Sequence, residues 1–218
     1  MIPWLRLFLF AFVAIHVGSA NANPTLVPTY VAPAISGNSD DTKLAHFALE
    51  SWQRASSKSL QFVPSPENLA LLRIYWVDAW HPGGFGEMRE IVVNGQPGAA
   101  LYVNIATELL GEEIDVQARA DRLYRDTIVY LTCVHELGHG LGLAHTADYP
   151  DIMYSFQFGG DIPGYFGRYR RRIQNQAQIA RTDAFSAADL LQFQRILAER
   201  KTRPAASGLR GLRAPVSP

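Results

Sequence analysis

The residues of this chain whose types and spacing could do chemistry lie in "VHELGHGLGLAHTADYPDIMY", Val134 to Tyr154. His135 and His139 are four apart, so on a helix both imidazoles leave one face close enough to share a metal ion. Glu136 is rotated from His135 by about 100°, which makes it a flank of that site, the place for a base acting on water. A rigid helix does not readily deliver a third ligand at the needed angle. Gly142, free to adopt a positive φ, can end the helix and swing the chain so that His145 arrives three residues later. Three neutral imidazoles with one open position describe a catalytic zinc site, because closed structural sites use four protein ligands. The competing reading is ordinary histidines on an amphipathic helix. It suits a bare H-E-x-x-H better than the extended H-E-x-x-H-x-x-G-x-x-H found here. Each helix-interior glycine costs about 1 kcal/mol relative to alanine. The chain reversal accounts for Gly142, whereas the spacing supplies no reason for Gly138 or Gly140.

Eight residues after His145, "DIMY" brings Met153. The extended histidine motif followed by this methionine resembles the metzincin zinc metallopeptidases, whose methionine sits in a tight turn beneath the metal. Within them it is most similar to the matrixins, since the residue after the third histidine is the small hydroxyl residue Thr146. The resemblance implies His135, His139 and His145 as ligands of one catalytic zinc, Glu136 as general base and Met153 as the Met-turn residue. It also implies supporting roles for Gly142 and for Asp189, which would brace the Met-turn by hydrogen bonding; an ordinary acidic residue in a helix's first turn is the alternative for Asp189. Branches with a tyrosine ligand place it two residues after the methionine, where this chain has Ser155, so Tyr154 is read as a packing residue.

The chain also departs from the matrixin pattern. No cysteine-switch propeptide is present, because Cys133 lies inside the expected catalytic helix. Ala188 stands where the family often has a second aspartate, and no "HGD"-like segment marks structural zinc and calcium loops, so structural calcium is left open. His81 in "WHPGG" reads as a loop residue.

The elements that must position these groups can be read from pattern. Asp40 or Asp41 caps a helix whose Leu44, Phe47, Ala48 and Trp52 recur at helical spacing. "LQFVP", "LALLRIYWVD", "EIVVNG" and "AALYVNIA" are strand candidates, the third ending in an Asn-Gly turn. "HPGGFGE" is a turn-rich loop, a helix runs from about Asp121 to Gly140, and another from a Ser186 cap to about Arg200. Alternating strands and helices give an α/β chain with a mixed, helix-flanked sheet. The resemblance sharpens this to a zincin-like α+β domain: a twisted sheet with an antiparallel edge strand, a long active-site helix, the Met-turn and a C-terminal helix. The expected edge strand is Ala99 to Ile105, against which a peptide substrate would extend.

Residues 1–22 read as a secretory signal peptide, with Arg6, an apolar run from Leu7 to Val17 and a small-residue cleavage site, an uncleaved anchor being the alternative. Residues 23–39 read as a Pro-rich extended arm, 40–200 as the catalytic domain and 201–218 as a basic disordered tail. The single Cys133 forbids an intramolecular disulfide and reads as a small buried hydrophobe. A formal net charge of zero hides a split: 8 Lys+Arg against 17 Asp+Glu over residues 23–167, then 11 against 3 over 168–218. Arg168, Arg170, Arg171 and Arg172, with Tyr165, Phe166 and Tyr169, could select acidic substrates, hold an anionic surface or dock on the acidic body.

The function expected is an exported zinc endopeptidase, hydrolysing peptide bonds with a zinc-activated water and Glu136 as base. Its partners would be protein or peptide substrates, with no specific nucleic acid, no stable membrane span after signal cleavage and a monomeric state. The alternatives are an inactive zinc-binding homologue and an anionic-surface binder using the basic C-terminal region.

Overall fold

β-branched and aromatic residues in "TLVPTYV" favour extended backbone, and Thr25–Val31 forms strand β1. The computed structural model describes residues 23–35, 40–79 and 84–202. The expected signal peptide, His81 and the tail beyond Thr202 lie outside the described residues. Helix α1, Asp40–Ala55, opens on two aspartates and buries Leu44, Ala48 and Trp52. Strands β2, Leu60–Pro64, β3, Leu72–Val77, β4, Gly86–Val93, and β5, Gln96–Asn104, follow. Between β4 and β5, Asn94 and Gly95 take φ of 51° and 76°, the two left-handed positions of a type I′ hairpin. Helices α2, Glu112–Ala120, and α3, Arg122–Gly140, come next. After the reversal come α4, Ile162–Arg170, α5, Gln176–Ile179, and α6, Ala187–Thr202.

The five strands form one mixed sheet in the order β2-β1-β3-β5-β4. The β1–β2, β1–β3 and β3–β5 pairs are parallel and only β4–β5 is antiparallel. This places one antiparallel strand at an edge, as expected, but the strand is different. Residues 99–104 lie in β5, which is flanked on both sides, and the edge is β4. The hairpin at Asn94-Gly95 folds β4 against one side of β5, while β3 takes the other. The near-continuous burial of Ala99, Ala100, Leu101 and Val103 fits that interior position.

A second correction concerns the N-terminal arm. It is extended, yet Thr25–Val31 is an integral strand between β2 and β3, so the folded body begins before residue 40. Pro28, which argues against a sheet interior, sits one residue before the β1–β3 pairing starts at Thr29, so its missing N–H falls at the end of that ladder. Helices α2 and α4 add to the expected elements, and β4 begins inside "HPGGFGE", at Gly86.

Helix α3 runs through the core, packed against α1 and against strands β4 and β5. Asp121 caps it, accepting from the N–H groups of Leu123 and Tyr124. Trp52, fully buried, donates its indole N–H to the Val134 carbonyl at 2.9 Å, and the Ser51 and Tyr130 hydroxyls share a hydrogen bond. Cys133 is buried as expected, and burial pushes its thiol well above the ordinary range, leaving it inert. No helix among the described residues is long and apolar enough to cross a membrane.

Two of the four arginines of this segment, Arg168 and Arg170, dock on the body, while Arg171 and Arg172 are exposed. Arg170 pairs with Asp121 at 2.6 Å, and the Arg168 guanidinium lies over both the Tyr149 and Tyr165 rings, 4.5 and 4.7 Å from their centroids.

Candidate metal centre

Helix α3 stops in a Schellman arrangement. Gly142 takes φ 96°, its N–H bonds the His139 carbonyl at 2.8 Å, and the Leu143 N–H reaches back to the Gly138 carbonyl at 2.9 Å. The chain then turns back and carries His145 to the two helical histidines. The Nε2 of His145 lies 3.3 Å from that of His135 and 3.1 Å from that of His139. One nitrogen from each ring falls within 4.8 Å of the other two.

Hydrogen bonds behind the rings decide what those nitrogens can do. His135 Nδ1 lies 2.6 Å from the Ile152 carbonyl, and His139 Nδ1 lies 2.9 Å from the Leu143 carbonyl. A carbonyl only accepts, so both Nδ1 atoms carry the proton and both Nε2 atoms present lone pairs inward. A proton on the Nε2 of His145 could satisfy one of its two close contacts and not both. Converging lone pairs of this kind fit a cation, and three imidazoles suit zinc. Burial holds His135 down at about 3, with neighbouring His139 adding to the effect, and holds His139 at about 4. Burial also lowers His145. All three rings are therefore neutral, ligand-ready, at neutral pH.

Glu136, 5% exposed, is tucked between α3 and β4. Burial pushes its carboxyl up to about 8, with the negative charge of Glu87 on β4 contributing.

The segment from Thr146 to Ser155 is closed by two strand-like bonds, Thr146 N–H to the Met153 carbonyl at 2.9 Å and Ser155 N–H to the Thr146 carbonyl at 3.1 Å. Asp189, in the first turn of α6 and 1% exposed, accepts from Ile152 N–H at 2.9 Å and Met153 N–H at 3.4 Å. It also accepts from Ser186 N–H, while Ser186 Oγ accepts from Asp189 N–H, a reciprocal cap for α6. Tyr154 is buried and donates its hydroxyl to the Gly159 carbonyl, a packing role.

The two glycines left over from the sequence have packing reasons. A Cβ on Gly138 would overlap the Met153 sulfur and approach Trp52 to 3.2 Å. One on Gly140 would press on Leu72 and Ala99 at 3.2 and 3.3 Å. Spacing could not reveal either, because the atoms they make room for lie on other elements. Ile152 and Leu143, whose carbonyls orient two rings, are further site residues that the motif leaves unmarked; main-chain acceptors carry no side-chain signal.

No curated protein matches the sequence. Among solved structures, an archaemetzincin from Methanopyrus kandleri is similar at a TM-score of 0.45 and 14% identity, covering 83% of this chain and 99% of that one. Residues 29–159 match the matrixin, or M10 peptidase, family. That span runs from within β1 through the sheet, α3, the three histidines and the turn at Met153, so the chain belongs to the matrixin family of zinc metallopeptidases.

Proposed function

We propose that this protein is an exported zinc-dependent endopeptidase that acts as a monomer on protein or peptide substrates. The observation that carries the reading is the convergence of three Nε2 atoms, two with lone pairs fixed inward by main-chain acceptors, beside a buried carboxyl. His135, His139 and His145 would hold the ion. Bound there, zinc supplies Lewis acidity for the scissile carbonyl and a lowered pKa for water.

The protein's own groups do the rest. Glu136 takes a proton from the attacking water and returns it to the leaving nitrogen. In the metal-free protein burial pushes its carboxyl up to about 8, and a dication bound beside it would favour the charged form that accepts the proton. An extended substrate can add to the sheet along β4, the edge strand whose first residue packs on Glu136. Export rests on the apolar run Leu7–Val17 and the small residues up to Ala22.

Zinc content and cleavage of casein or gelatin, measured for the wild type and Glu136→Ala, test this reading. The wild type should hold one zinc per chain and cleave. The variant should keep its zinc and lose about 10²- to 10⁴-fold in rate. A wild type without bound metal, or a variant with undiminished cleavage, overturns it.

A further inference from the structure

Gly86 opens the edge strand β4, paired across from Val103 of β5. It is not among the glycines with positive φ, so its backbone conformation is one any residue adopts. Gly84 and Gly95 do take positive φ, and a Cβ on either would meet nothing within 4 Å. At Gly86 the situation is reversed. A Cβ there would lie 2.8 Å from Glu136 Oε1, 2.9 Å from Glu136 Cγ and 2.8 Å from Thr132 Cγ2. Glycine weakens a strand, and where φ does not require it the usual reason is that something must approach the backbone closely. Here the atoms approaching belong to the carboxylate side chain itself.

We propose that Gly86 is a positioning residue for Glu136: the bare strand backbone forms one wall of the carboxylate's slot, and Thr132, one turn earlier on α3, bounds the same space. The inference rests on the reading of Glu136 as general base. A side chain at Gly86 forces Glu136 out of its slot because neither alternative is open. Gly86 is held in the β4–β5 ladder, and Thr132, 4% exposed, is packed in the core. The edge strand thereby has two duties, offering its outer edge to substrate and fixing the base with its inner face. The residue that separates them is the one with no side chain.

The test is a cycle of Gly86→Ala and Glu136→Ala, with Gly86→Ala/Thr132→Ser as a relief variant. Zinc content should be unchanged in Gly86→Ala, while kcat falls on the order of 10²-fold, as for a reacting group displaced by about 1 Å, with little change in KM. In the Glu136→Ala background the same substitution should have no further effect on residual hydrolysis. Thermal midpoints of the metal-free proteins should show Gly86→Ala costing more stability with Glu136 present than without it. Removing the Thr132 methyl should recover part of the lost kcat. A zinc-loaded, active wild type whose kcat survives Gly86→Ala overturns the inference. So does a loss of equal factor in both backgrounds, or a midpoint cost that ignores Glu136. If the wild type itself fails to cleave, the endopeptidase reading falls, and the midpoint cycle still decides whether Gly86 sets the carboxylate's place.

Discussion

Replacing the proposed base should make the metal-free protein more stable, in a pH-dependent way whose sign is fixed by its surroundings. Glu136 is 5% exposed, and burial carries its carboxyl from the ordinary 4.5 to about 8. Below pH 4.5 the carboxyl is protonated in both folded and unfolded chains, and no penalty arises. As pH rises toward 8 the unfolded chain ionises while the folded one keeps its proton, so stability is lost at about 1.4 kcal/mol per pH unit. The interval amounts to roughly 5 kcal/mol, and water reaching the slot brings the expected loss to about 2–4 kcal/mol. Glu136→Gln keeps the shape and is neutral throughout. In urea titrations of chelator-treated protein the two should coincide at pH 4, diverge from pH 5, and differ by about 2–4 kcal/mol in favour of the variant at pH 8. Zinc should shrink the difference, since a dication beside the carboxyl favours its charged form. The histidines act in the opposite direction. With folded values near 3 for His135 and near 4 for His139, against 6.5 unperturbed, they remove stability from metal-free protein as pH falls below 6.5. Parallel pH profiles for wild type and Glu136→Gln would refute the argument that this carboxyl is desolvated by the fold.

Asp189→Ala leaves the buried N–H groups of Ile152 and Met153, and the part-buried one of Ser186, without their acceptor and should cost about 2–4 kcal/mol in urea unfolding, Asp189→Asn costing less; a loss below about 0.5 kcal/mol would show the brace to be dispensable. Gly138→Ala sets two rules against each other: helix propensity favours alanine by about 1 kcal/mol, whereas overlap with the Met153 sulfur costs about 1–3 kcal/mol. Packing should win, giving a lower thermal midpoint, and a raised midpoint would mean that Met153 yields freely.

What could be read in the sequence follows from where the determining contacts lie. The histidine spacing, the stop at Gly142 and the hairpin at Asn94-Gly95 are local, each set by backbone geometry within a few residues, and the structure holds all three. The place of β1 in the sheet and the identity of the edge strand are not local. Both depend on which strand closes against which, and Pro28 and a near-continuous apolar run look alike in several topologies. Helix α4 carries Gly164 and Gly167, which weaken a helical pattern, yet Tyr165, Phe166 and Tyr169 bury a face of it once α3 is present to receive them. Helix α2 buries only Ile114, Asp115 and Ala118, too faint a stripe to register. Gly86 was visible as one glycine among several in a loop. Its importance depends on a carboxylate fifty residues away.

Ile152 joins two distant parts of the chain through a single residue. Its N–H is held by Asp189 of the last helix, and its carbonyl orients His135, the first of the three histidines. The order in which the chain is made therefore matters. A growing polypeptide presents all three histidines some forty residues before Asp189 follows. Until that residue arrives the ring of His135 lacks the anchored acceptor that sets its tautomer. The hydrogen-bond support behind the histidine cluster is thus completed from the far end of the domain, a delay written into connectivity.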